Sequence, residues 1–166
     1  QSNGVGATGN WVSPKKNIYA TFMFTCNASV CKSVLEISQV SALSVHQVLQ
    51  GFGLKSKIKW TNDVFVNNKK ISGSLVEFFE STSSQVNKVV IGIGINVNTD
   101  EPQLYSVNQP ATSMKIENGY HEFILSEVLD KLEVRLLENM LEYFQNGFLG
   151  FKENIELETL YIHHNI

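Results

Sequence analysis

The chain has 166 residues, 43% of them hydrophobic and 17% charged, with a formal net charge of −3. That balance suits one ordinary globular domain and excludes a disordered polyelectrolyte, and the acidic sign argues against a dedicated nucleic-acid binder. No apolar run approaches the roughly 20 residues that cross a bilayer and no leader-like segment opens the chain, so a soluble, cytoplasmic domain without membrane contact is expected.

In chain order, residues 1–17 read as a loop, with Gly4, Gly6 and Gly9 ahead of Trp11, Pro14 and a polar Lys15-Lys16-Asn17. A glycine-rich loop needs an element on each side, so further sequence upstream of Gln1 is expected. Residues 18–25 alternate Ile18, Ala20, Phe22 and Phe24 against Tyr19, Thr21, Met23 and Thr25, which predicts a strand. Cys26 and Cys31 have no Cys/His cluster around them, so free, buried thiols are expected and no metal site is assigned. Apolar residues at helical spacing predict a core helix over 34–49, stopped by Gly51 and Gly53. Short strands are expected at 57–60 and 64–66, a turn at 67–70, and longer strands at 71–80 and 89–97. Residues 98–118 are irregular, with Pro102 and Pro110. A long amphipathic helix is expected over 122–144, with Ile124, Val128, Leu132, Leu136, Met140 and Phe144 on its apolar face, and the tail 148–166 is weakly helical. Strands in hairpin order favour an α+β fold with a mixed sheet over a doubly wound one.

Four motifs could carry chemistry. Gly4-Val5-Gly6-Ala7-Thr8-Gly9 could bring backbone N–H groups to an anion, or it could be a plain flexible loop. As a dinucleotide fingerprint it lacks the helix that should open on it. Lys59-Trp60-Thr61-Asn62-Asp63 puts a cation, an aromatic ring, an amide and a carboxylate at a strand end, or it is an exposed turn. Lys70-Ile71-Ser72-Gly73-Ser74-Leu75-Val76-Glu77 combines a turn lysine with a glycine that opens the strand face, or it is a solvated turn beside an edge strand. Ile91-Gly92-Ile93-Gly94-Ile95-Asn96-Val97 weakens a buried strand with two glycines, and Asn96 is hydrogen-bonded either internally or to a ligand.

In their order and spacing these motifs, with Trp11 to Pro14 as Trp-x-Ser-Pro and Asn17-x-Tyr19, resemble the catalytic domain of the biotin–protein ligases over about the first hundred residues. The resemblance implies an α+β fold with a mixed, largely antiparallel sheet and flanking helices, like that of class II aminoacyl-tRNA synthetases. It implies a single ligase-type domain over 1–166, without the family's upstream strand and helix or its C-terminal β domain. The implied activity uses ATP, with Mg2+ on the nucleotide, to make biotinyl-AMP, and transfers biotin to a lysine of the biotin carboxyl carrier domain of a carboxylase. A homodimer is compatible with this reading. Lys70, Asp63 and Lys59 would be catalytic. Gln1, Gly4, Gly73, Ser74 and Leu75 would line the biotin site, and Gly6, Gly9, Trp11, Asn62 and Asn96 the adenylate site. The departures are Val5, Ala7 and Thr8 where the family has cations, which implies a looser hold on the adenylate, and Thr61 where it has proline. The alternatives are a lipoate–protein ligase of the same fold and a non-catalytic biotin- or nucleotide-binding remnant.

Overall fold

The computed structural model describes residues 4–6, 9–11, 14–27, 33–80, 86–104 and 109–160, with side chains from residue 14 onward. Its frame is a five-stranded sheet built from β3 (Ile18–Asn27), β4 (Ser56–Lys59), β5 (Asp63–Val66), β6 (Lys69–Phe79) and β7 (Val86–Ile95). The strand order is β3-β7-β6-β5-β4 and every ladder is antiparallel, with isolated parallel bridges at Ile58–Thr159 and Lys70–Ala111. β6 is therefore interior, and the edge-strand alternative for Gly73 falls. Part of the segment read as a loop is a backbone hairpin of β1 (Gly4–Gly6) and β2 (Gly9–Trp11), paired Gly6 to Gly9 and lying against β6. Glycines carry almost no β signal, which is why periodicity missed it.

Helix α1 (Val34–Gly51) covers one face of the sheet, against β4, β5 and β6, and is itself covered by α4 (Leu125–Asn146). Ser33 caps α1, accepting from the Glu36 N–H at 3.2 Å. Being enclosed, α1 carries small polar residues that satisfy themselves: Ser41 and Ser44 are fully buried and donate to the carbonyls of Ile37 and Val40 at 2.7 and 2.8 Å. The buried stripe of α4 runs through Val128, Leu132, Leu136, Met140 and Tyr143. Ile124, expected on that stripe, is 61% exposed and precedes the helix. Gly147 ends α4 at φ 76°, a conformation that favours glycine.

Helix α5 (Leu149–Glu158) then returns to the sheet edge, where the Leu160 N–H donates to the Ile58 carbonyl at 2.6 Å. Behind that edge, the buried His46 Nδ1 lies 2.9 Å from Ser56 Oγ, and its Nε2 lies 3.6 Å from Glu158. The irregular stretch contains α2 (Glu101–Leu104) and α3 (Met114–Glu117). Cys26 corrects an expectation: it is disulfide-bonded, not a free thiol. Spacing alone gave no sign of this. Cys31 and the ending at 161–166 lie outside the described residues.

Candidate active site

On β6 and β7 the period-two alternation separates two faces. Ser72, Ser74 and Val76 pair with Ile95, Ile93 and Ile91 under the helices, whereas Gly73 and Leu75 pair with Gly94 and Gly92 on the other side. Register carries one row across the whole open face: Lys59, Asp63, Gly73, Gly94 and Tyr19. The next row holds Leu75, Gly92 and Thr21. The middle of both rows is glycine, so the sheet there is a shallow trough floored by main chain. A side chain at Gly92 would meet only the Leu75 carbonyl, at 3.8 Å.

Lys70 reaches this face because of a bulge. Val64 pairs with Ser72 but Phe65 pairs with Lys70, so β6 has one extra residue, Ile71. In a regular strand Lys70 would share the covered face with Ser72 and Ser74. The bulge buries both Ile71 and Ser72 and turns Lys70 toward Gly73 instead. Its ammonium lies 2.7 Å from Asp63 Oδ1, with the two side chains 14% and 19% exposed. Neither is the solvated turn residue that sequence allowed. The two-residue turn at Asn67 and Asn68, both with positive φ, ends before Lys69, and Lys70 is already in the strand. Gly73 is the floor under the pair: a Cβ there would lie 2.9 Å from Asp63 Oδ1 and 3.2 Å from Lys70 Nζ.

The remaining expected residues divide. Lys59 sits beside Asp63 across β4–β5, its ammonium 5.0 Å from the centre of the Phe65 ring. Asn62 donates its amide to the Ser74 carbonyl at 2.6 Å, extending the β5–β6 ladder by one rung. Ser74 therefore offers the trough its backbone at most, because its side chain is on the covered face beside Ile93. Asn96 is buried and donates to the Thr112 carbonyl at 3.0 Å, resolving its open alternative toward an internal bond at that end. Thr61 follows the 63%-exposed Trp60 through a cis peptide bond. Gly4, Gly6, Gly9 and Trp11 are placed by their backbone in the β1–β2 hairpin. Gln1, Ala7 and Thr8 lie outside the described residues.

Two supports have no role assigned from sequence, where Asn17 enters only as part of the Asn17-x-Tyr19 motif. Asn17 accepts from the N–H groups of Val97 and Asn98 at 2.7 and 3.2 Å and donates to Thr99 Oγ1, fixing the end of β7. The stretch around Ala111 runs parallel to the start of β6: Lys70 N–H donates to the Pro110 carbonyl and Thr112 N–H to the Lys70 carbonyl, both at 2.9 Å. Proline, alanine and threonine without periodicity gave no signal for it. Among the described residues no group of three or more His, Cys, Asp or Glu is placed to hold a metal ion. No helix among them is long and apolar enough to cross a membrane.

The chain thus has an α+β fold, an antiparallel sheet with helices on one face and a charged pair over a glycine on the other. Residues 1–96, more than half of the chain, match the Biotin/lipoate A/B protein ligase family, and the chain belongs to it. It is 42% identical over 121 residues to the bifunctional ligase/repressor BirA of Bacillus subtilis, covering 69% of this chain and 36% of that protein. It is 32% identical over 139 residues to the biotin–[acetyl-CoA-carboxylase] ligase of Paracoccus denitrificans, covering 80% of this chain and 56% of the relative. The biotin protein ligase of Aquifex aeolicus, solved in complex with biotin and ATP, superposes with a TM-score of 0.79 at 31% identity, over 95% of this chain and 64% of that one. The chain thus spans between about a third and three fifths of the length of the curated relatives named here.

Proposed function

We propose that this chain is a ligase-type catalytic domain that activates biotin with ATP and passes it to a lysine of a biotin carboxyl carrier domain. The Lys70–Asp63 pair over Gly73 carries the reading, in a family with relatives named as biotin ligases. Biotin lies along the trough over Gly73, Gly92 and Leu75, with Gly4 on the hairpin side. The adenylate is met by Gly6, Gly9 and Trp11 of the hairpin and by the carbonyl ends of the Asn62 and Asn96 amides.

In the first step a biotin carboxylate oxygen attacks the α-phosphorus, and the bond to the β-phosphate oxygen breaks to release pyrophosphate. Both reactants are anions, so a positioned cation between them carries much of the catalysis. Lys70 supplies it, with Lys59 adding positive potential from the same row. The Asp63 carboxylate holds the Lys70 ammonium in place until anionic groups compete for it. Asp63 is then free to orient the incoming lysine and accept the proton that its ammonium must lose before nitrogen attacks the acyl carbon and AMP departs. Mg2+ would come with the nucleotide and supply charge neutralisation on its phosphates, since among the described residues no group of three or more His, Cys, Asp or Glu would hold it.

The test is biotin-dependent pyrophosphate release from ATP, with lipoate as competitor and calorimetric titration of both acids. Release with biotin supports the reading. Release with lipoate alone favours the sister activity, and binding without release indicates a remnant.

A further inference from the structure

The Lys70 ammonium is only as well placed as the main chain that bears it. That main chain lies between the turn at Asn67 and Asn68, from which β6 starts, and the stretch from Pro110 to Thr112, bonded to Lys70 on both its N–H and its carbonyl. One side chain joins these two flanks. Glu117, at the end of α3, accepts from the Thr112 hydroxyl through Oε1 and from the Asn67 amide through Oε2, both at 2.6 Å. A carboxylate can accept from two donors at once, and such charge-assisted bonds are roughly twice as strong as neutral ones. Thr112 is fully buried, so this arm is partly shielded from water. The Asn67 arm is exposed and anchors the turn.

We propose that Glu117 is a positioning residue for Lys70, tying the Thr112 segment to the Asn67 turn so that the lysine between them is held over Gly73. The proposal rests on the ligase reading for its catalytic consequence, though not for the tether itself. Glu117 has no role in the trough, and neither periodicity nor motif singles it out.

The test uses the whole chain with two readouts. One is the rate of reductive methylation of Lys70, followed by mass spectrometry without substrates. The other is biotin-dependent pyrophosphate release, separated into kcat and KM. Glu117→Ala should raise Lys70 methylation several-fold and lower kcat by roughly ten- to a hundredfold, with KM for biotin near the wild-type value, because a misplaced group fails mainly in the transition state. Thr112→Val, similar in shape but lacking one arm, should shift both readouts in the same direction by less. Glu117→Gln should recover much of both, since its amide oxygen can still accept from Thr112 while the exposed Asn67 turns its own amide to accept the other end, the neutral bonds being weaker than the carboxylate's. Unchanged Lys70 methylation in folded Glu117→Ala and Thr112→Val proteins overturns the tether. Loss of kcat that Glu117→Gln does nothing to recover assigns Glu117 a role of charge and also overturns it. A wild-type chain that releases no pyrophosphate sinks the ligase reading, while the methylation arm still decides the tether.

Discussion

Along β7, Val89, Ile91, Ile93 and Ile95 point under the helices and are buried, while Gly92 and Gly94 between them face the trough. The same alternation on β6 places Ser74 and Val76 beneath α1 and Gly73 and Leu75 on the open side. One face is filled to exclude water; on the other, side chains are removed so that a ligand can lie on the backbone. Stability and chemistry are therefore divided by a single step along the strand. Substitutions one residue apart should separate them.

The largest separation is expected at the lysine. Lys70→Ala should lower biotin-dependent pyrophosphate release by about a hundredfold or more, the usual loss when a preorganised charge contact to the transition state is removed. The protein should still fold, with a melting temperature a few degrees lower, because the largely buried Asp63 carboxylate loses its ammonium partner. Undiminished release would break the assignment of chemistry to the open face. Next comes the filled face. Ile93→Ala should cost about 2–5 kcal/mol in urea unfolding, with biotin affinity per folded molecule unchanged. A smaller effect is expected at Gly73→Ala. The new methyl would force the Asp63–Lys70 pair aside and reduce kcat by roughly tenfold, while strand stability holds or improves slightly. If Gly73→Ala lost stability and kept its rate, the glycine would serve the fold.

The smallest effect is set by pH at the sheet edge. Burial pushes His46 below its ordinary value of 6.5, with Glu158 on α5 pulling upward and Lys57 on β4 adding to the depression. As pH falls through 6.5 the unfolded chain takes up the proton first, so stability present above that pH declines below it. Urea midpoints at about pH 7.5 and about pH 5.5 should drop more for wild type than for His46→Gln. Equal drops would show that His46 does not titrate in this window.

Much of this was legible in the sequence wherever a period or a motif marked it. The alternation of residues 18–25 and the run Val89 to Ile95 gave the strands that flank the trough, and the spacing from Val34 to Leu49 gave α1. Lys70, Asp63 and Gly73 were marked by their motifs and do meet, at hydrogen-bonding distance over the glycine. The Ser74 side chain takes the covered face, which its motif does not show because a motif lists neighbours without regard to the face each one takes. The Pro110–Thr112 support and Glu117 were invisible for a different reason. Pro110 and Thr112 bond to Lys70, some forty positions away, through main chain, which leaves no mark on residue type. Glu117 bonds through its side chain, but Asn67 is 50 positions away and a single glutamate next to a threonine segment makes no motif.

The bulge at Ile71 has a consequence for how the length of this strand can vary. Hairpin ends are ordinarily where chains gain or lose residues with little penalty. Here the Lys70 end of β6 counts in one frame and the stretch from Ser72 onward in the other, and the extra residue is what keeps lysine and glycine on the same side. An odd interval would ordinarily put Lys70 and Gly73 on opposite faces, and the bulge cancels that offset. Deleting Ile71 would leave an interval of two in a regular ladder, with the lysine still opposite Phe65 on the open face. Deleting a residue while the bulge stays would instead turn the ammonium toward the helix layer. Strand length and bulge therefore have to change together when the neighbouring turn is redesigned.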